Sequence, residues 1–134
     1  MKPTVLIVED NADHAWLAMR EIKKSDVGYD IIHFENGEEL LDYLNTNLNA
    51  LPAFILLDMH MPSLTGLQVL RKLKKDEHYQ SIPVIMLTSS TQEKDIIESY
   101  ALGAASYIVK PLNNEKFMNA VTNLDSFVTV PVKR

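Results

Sequence analysis

The chain has no cysteine. Disulfides, thiolate metal sites and cysteine nucleophiles are therefore excluded, and any metal has to be held by oxygen or histidine. Positive charge is also in deficit: 13 lysines and arginines face 18 aspartates and glutamates, for a formal net charge of -5. That balance argues against holding nucleic acid through net charge, so direct DNA binding is not expected. No apolar run of membrane-spanning length occurs, because the longest stretches are strand-sized and end in charge or proline. With no signal peptide legible at the N-terminus, the expectation is a soluble, cytoplasmic protein without a membrane partner. A G-x-G-x-x-G fingerprint is missing as well, which deprives a dinucleotide-binding reading of its phosphate cradle.

What is present is enough for one ordinary domain: 134 residues, 46% of them hydrophobic. Five short apolar segments recur, from Thr4 to Val8, Asp30 to Phe34, Ala53 to Leu57, Pro83 to Leu87 and Ser106 to Val109. Their β-branched content predicts strands. Between them, apolar residues recur at helical spacing in Ala15, Met19 and Ile22, in Leu40, Leu41 and Leu44, and in Leu67, Leu70 and Leu73. Two more helices are predicted from Ile96, Ile97, Tyr100 and Ala101, stopped by Gly103, and from Phe117, Val121 and Leu124. Strands joined by helix-length crossovers pair in parallel, and a parallel sheet needs helices on both faces. A (βα)5 chain folded as a three-layer αβα sandwich follows.

Aspartate ends the third apolar run at Asp58, and Glu9-Asp10 ends the first. If both runs are parallel strands of one sheet, three carboxylates converge at its C-terminal edge, where open α/β sheets bind ligands. Such crowding is unfavourable unless a cation sits among the charges. A hard divalent metal beside a carboxylate that can act as nucleophile is the chemistry this predicts. Elsewhere, Asp13 is expected to cap the first helix, Trp16 to lie in the core, and Gly66 to take a positive φ in the loop supporting Asp58. His14, His33 and His78 lack metal-ligand spacing and read as surface or edge residues.

Four motifs now stand in order: Val8-Glu9-Asp10-Asn11, then Leu57-Asp58-Met59-His60-Met61-Pro62 through Gly66, then Leu87-Thr88-Ser89, then Tyr107-Ile108-Val109-Lys110-Pro111. Over residues 3 to 127 the chain resembles the CheY-like receiver domains of two-component response regulators. The resemblance implies a flavodoxin-like α/β fold with strand order 2-1-3-4-5, residues 1-127 as the receiver and 128-134 as a short tail with no output domain. It implies a phosphoacceptor signalling domain that assists its own phosphorylation and dephosphorylation rather than an enzyme. Asp58 would take the phosphoryl group, and Mg2+ would be held by Glu9, Asp10, Asp58 and the backbone carbonyl of His60. Thr88 and Lys110 would meet phosphoryl oxygens, Lys110 being aimed inward by a cis bond to Pro111. Thr88 and Tyr107 would form the switch that alters a face made by the fourth helix, fifth strand and fifth helix.

The partners implied are a sensor histidine kinase or phosphotransfer protein upstream and a protein target on that face downstream. Stand-alone receivers that serve phytochrome-type kinases are similar in carrying Glu-Asp-Asn after the first strand and a short extension, and some dimerise, so a homodimer is among the expectations. The apolar tail Val128-Thr129-Val130-Pro131-Val132 is read as a segment that packs on a neighbour. An FMN-binding flavodoxin would share the fold, but Glu9 and Asp10 would repel its phosphate. An aspartyl-phosphate phosphohydrolase would need a second carboxylate two positions after Asp58, where His60 stands. The remaining alternative is a receiver-shaped interaction module that never takes phosphate.

Overall fold

A computed structural model describes the backbone of residues 2–25 and 27–133. Five strands alternate with five helices: β1 (Thr4–Val8), α1 (Ala12–Lys23), β2 (Asp30–Phe34), α2 (Gly37–Thr46), β3 (Phe54–Asp58), α3 (Gly66–Lys75), β4 (Val84–Thr88), α4 (Glu93–Ala101), β5 (Ser106–Val109) and α5 (Asn114–Lys133). All strand pairs are parallel, in the order β2-β1-β3-β4-β5. This is the αβα sandwich that the alternation of patterns predicts, with the flavodoxin-like strand order that the resemblance implies. Strands β3 and β4 each begin and end one residue later than the apolar runs suggest, so Asp58 and Thr88 are the last strand residues rather than the first loop residues.

Period-two alternation divides the strand side chains between two cores. Leu6, Val8, Ile55, Leu57, Val84 and Met86 join the helices that bring Leu40, Leu44, Leu70 and Leu73. Val5, Ile7, Phe54, Leu56, Ile85, Leu87 and Ile108 pack on the other face with Ala18 and Ile22 of α1 and Phe117, Ala120 and Leu124 of α5. Burial on both faces is why these strands read as unbroken apolar runs.

Helix starts follow from capping. Asn11 caps α1, its side chain accepting from His14 N, and Asn36 does the same for α2 with Glu39 N. Asp13, expected as the first cap, lies one position inside the helix and contributes only charge to its first turn. A capping box joins Thr65 and Gln68 at the start of α3. Trp16 is not in the core. Its ring is 57% exposed and lies under the Arg20 guanidinium at 5.0 Å, because Ala15, Ala18 and Ile22 already form the buried stripe of α1. The backbone of residues 128–133 continues α5. Packing of the tail side chains falls outside the described residues.

Gly66 is required for a reason other than a positive φ. Left-handed backbone in this loop occurs at Ser63, φ 66°. At Gly66 a Cβ would run into the carbonyl oxygen of Asp58 and come within 2.7 Å of Met59 Cα. The start of α3 is thus pressed against the end of β3, and Gly66 N donates to Met59 O at 3.0 Å. Only backbone would have to yield, so Gly66→Ala is expected to cost roughly 2–4 kcal/mol in urea unfolding. A loss below about 0.5 kcal/mol would show that the approach is not tight.

Candidate functional site

The sheet register brings the charged residues together. Val8 pairs with Leu57, so one step on Glu9 stands beside Asp58, and Asp58 pairs with Leu87 while Thr88 pairs with Val109. Glu9, Asp58 and Lys110 also continue the alternation of Ile7, Leu56 and Ile108, which face α1 and α5. Same register and same side place carboxylates on neighbouring strands at about the interstrand spacing of 4.8 Å. Accordingly Glu9, Asp10 and Asp58 each offer an oxygen within 4.8 Å of the others.

Burial makes that proximity expensive. Glu9 is 1% exposed and Asp58 3%, while Asp10 is exposed at the mouth. One cation is supplied by the chain: Lys110 Nζ lies 2.7 Å from Glu9 Oε1 and 3.4 Å from Asp58 Oδ1. The shorter contact is a charge contact without hydrogen-bond alignment, which leaves Glu9 Oε1 a buried oxygen without a hydrogen bond. Asp58 Oδ1 accepts weakly from His60 N at 3.4 Å, and Glu9 Oε2 from Asn11 N at 3.2 Å. Burial first and the Glu9 charge second push the Asp58 carboxyl up to about 7, against the opposing pull of Lys110. A proton is what the pair takes in place of a second positive charge. An oxygen-only donor set with an orphaned buried oxygen fits a hard divalent cation such as Mg2+, which needs only one or two carboxylates and keeps waters elsewhere.

Thr88 is fully buried, and its Oγ1 accepts from Ser90 N at 3.1 Å, leaving the hydroxyl hydrogen to donate. Ser90 in turn donates to Asp95 Oδ2 at 2.6 Å and receives the Tyr107 hydroxyl on its carbonyl at 2.9 Å. Tyr107 is half-buried, its ring packed against the core of the α2–α3 side. The Lys110–Pro111 peptide bond is cis. His60 is exposed beside Asp58, and Ser89 is exposed next to Thr88.

Two histidines read as surface or edge residues are found there, His14 exposed on α1 and His33 on the edge strand β2, and both touch this site. His33 Nε2 bonds the Glu9 carbonyl at 2.8 Å, and His14 Nδ1 lies 3.0 Å from Lys110 Nζ. His33 is remote from every motif along the chain, and His14, three residues after Asn11, is remote from Lys110. Only β2 lying beside β1, and α1 packing under the end of β5, brings them in.

Comparison with known proteins agrees with this geometry. A family model described as the response regulator receiver domain matches residues 5–122. Response regulator Rcp1 of Synechocystis is 30% identical over 135 residues, covering 95% of this chain and 92% of that protein. The structure of its Mn(2+)-bound form has a TM-score of 0.74 with 93% of each chain covered. The bacteriophytochrome response regulator AtBRR is 35% identical with a TM-score of 0.81, covering 92% of this chain and 93% of the other. The phosphorylated cyanobacterial phytochrome response regulator RcpA is 30% identical with a TM-score of 0.78, over 98% and 96% of the two chains.

The raised Asp58 carboxyl fixes the sign of a pH effect. An unfolded chain loses this proton near 3.8, whereas the folded metal-free site keeps it to about 7. The folded state therefore binds more protons between those values, and its stability falls as pH rises through them. In chelator, Asp58→Asn is expected to unfold about 1–3 kcal/mol harder than the unsubstituted chain at pH 8, with the gap closing toward pH 4. Parallel stability curves for the two would show that the carboxylates are not in conflict.

Proposed function

The chain belongs to the response regulator receiver domain family, and from that premise we propose that it accepts a phosphoryl group on Asp58 in a Mg2+-dependent reaction and signals through a protein-interaction surface. The observation that carries the reading is the Glu9–Asp10–Asp58 cluster, with Glu9 and Asp58 buried, Asp10 at the mouth and Lys110 against the buried pair. A carboxylate attacking phosphorus forms a mixed anhydride, which divides transfer from hydrolysis. Asp58 is the nucleophile in this reading. Glu9, Asp10, Asp58 and the carbonyl of His60 would hold the metal, which when bound supplies charge neutralisation for the incoming phosphoryl oxygens. The Mn2+-bound form of Rcp1 and the phosphorylated form of RcpA support the reading by likeness.

Thr88 donates its remaining hydrogen to a phosphoryl oxygen, and Lys110 provides the compact cation that follows the charge from carboxylate to phosphoryl group. A pull on Thr88 loads Ser90, and through the Ser90 carbonyl it reaches Tyr107. The phosphoryl group biases that chain of contacts by as much as it binds the two arrangements differently. The surface read as responding is α4–β5–α5. There α4 buries only Ser99 and leaves Ile97 58% and Tyr100 48% exposed, a patch suited to a protein partner. A histidine kinase or phosphotransfer protein is the upstream partner, with a downstream protein, or a second copy of the chain, on this face. Residues 1-127 are proposed as the receiver, in the cytoplasm. Among the described residues no helix is long and apolar enough to cross a membrane.

Incubation with Mg2+ and a small acyl-phosphate donor is expected to add one phosphoryl group by intact mass. Chelator or Asp58→Asn should abolish the addition, and Thr88→Ala should slow it about tenfold or more. A chain that stays unmodified with cation and donor in excess is instead an interaction module. Light scattering with and without a beryllofluoride-type mimic is expected to show mass rising with phosphorylation. Monomer mass at every concentration in both states would remove the second copy from the scheme.

A further inference from the structure

We propose that His14 is a positioning residue for the phosphoryl chemistry, its neutral imidazole being the acceptor that keeps the Lys110 ammonium in place as the carboxylates change partners. The proposal rests on the reading of Asp58 as phosphoacceptor. An ammonium has three hydrogens and no acceptor capacity. Lys110 Nζ has two carboxylate oxygens at ion-pair distance, Glu9 Oε1 at 2.7 Å and Asp58 Oδ1 at 3.4 Å, and one hydrogen-bonding partner, His14 Nδ1 at 3.0 Å. Since lysine can only donate, Nδ1 accepts, which requires an uncharged ring with its proton on Nε2. An imidazolium would present a second donor to the ammonium and break the contact.

The placement is built in from several sides. Asn11 caps α1 by accepting from His14 N at 3.0 Å, so the residue is held in the first turn, under the end of β5. Lys110 is 14% exposed and faces the same side of the sheet as α1. Beside the pair lies a groove of about 280 Å³, lined by His14 and Lys110 themselves with Leu17, Leu87, Ser89 and Pro111, whose walls are largely apolar. Without the imidazole, the ammonium on that side would meet no side-chain acceptor among these residues except the Ser89 hydroxyl.

Chemically, an imidazole has the right strength for the task. Once Glu9 ligates a cation, Lys110 loses its nearest anionic partner and is left with His14 and Asp58, or with His14 and the arriving phosphoryl oxygen. A carboxylate in place of His14 would trap the amine, and an apolar side chain would let it wander into the groove. A neutral acceptor holds its direction and yields to a phosphoryl charge, because charge-assisted hydrogen bonds are the stronger kind.

The test compares His14→Leu, which fills the space without an acceptor, with His14→Gln, which keeps one. Thermal melts establish that both fold. Mg2+-dependent phosphorylation by a small acyl phosphate is expected to slow about three- to tenfold in His14→Leu, the worth of one hydrogen bond, and to recover most of the way in His14→Gln. Nitrogen NMR of the metal-free protein gives a reading independent of activity. His14 Nδ1 should be unprotonated and hydrogen-bonded, and its shift should move in Lys110→Met. An unchanged rate in His14→Leu, equal losses in both variants, or an Nδ1 shift indifferent to Lys110→Met would each overturn the proposal while leaving Asp58 as acceptor. An unsubstituted chain that takes no phosphoryl group would overturn both readings.

Discussion

Two buried carboxylates held side by side, with a single lysine against them, are the constraint around which the rest of the molecule is arranged. Glu9 and Asp58 end neighbouring strands in the same register and on the same side, so the sheet cannot relax their repulsion by moving them apart. Lys110 relieves part of it, while burial first and the Glu9 charge second keep the Asp58 carboxyl raised. In the proposed reading the site is thereby poised to take up positive charge, and Asp58, kept from full ionisation, would become available as nucleophile when it does. Strain of this kind is affordable because the surrounding strands are buried on both faces and cannot follow a local distortion.

Around that conflict the fold supplies groups that can change partners. Lys110 is shared among three acceptors, and Thr88 has one hydrogen to give while Ser90 occupies its lone pair. Ser90 then links the end of β4 to Asp95 of α4 through its hydroxyl and to Tyr107 of β5 through its carbonyl. The end of β4, on the strand next to that of Asp58, and the start of α4 therefore share a short polar chain. In α4 the Ncap Gln92 makes no side-chain capping bond and only Ser99 is buried, so the helix at the receiving end is weakly anchored. Under the proposed function, a weakly held element beside the charged site is where a changing surface would be expected.

Much of this was legible along the chain. The alternation of β-branched runs with helical spacing gave five strands, five helices and a parallel sheet, because periods of two and 3.6 leave different marks on a sequence. Carboxylates closing the first and third runs located the site, since strand ends in such sheets converge at one edge. Misreadings cluster where a residue's role depends on neighbours distant in sequence. Trp16 follows a helical pattern yet faces solvent, as the smaller Ala15 and Ala18 fill the space next to the sheet. Gly66 looked like a turn glycine, whereas the close approach of α3 to the β3 carbonyl excludes a side chain there. Asn11 and Asp13 are both good caps by type, and only the start of α1 chooses between them.

Sequence by itself determined which residues are buried in strands, that the sheet is parallel, and that Asp58, Glu9, Asp10, Thr88 and Lys110 lie at one edge. Those follow from local chemistry and the geometry of the alternating chain. Tertiary structure alone decided that Asp58 and Glu9 share a side and a rung, that Lys110 leans nearer to Glu9 than to Asp58, and that His14 and His33 enter the site. Register and helix packing set those relations, and both are properties of segments 24 to 96 residues apart, for which no single stretch of sequence carries a signal.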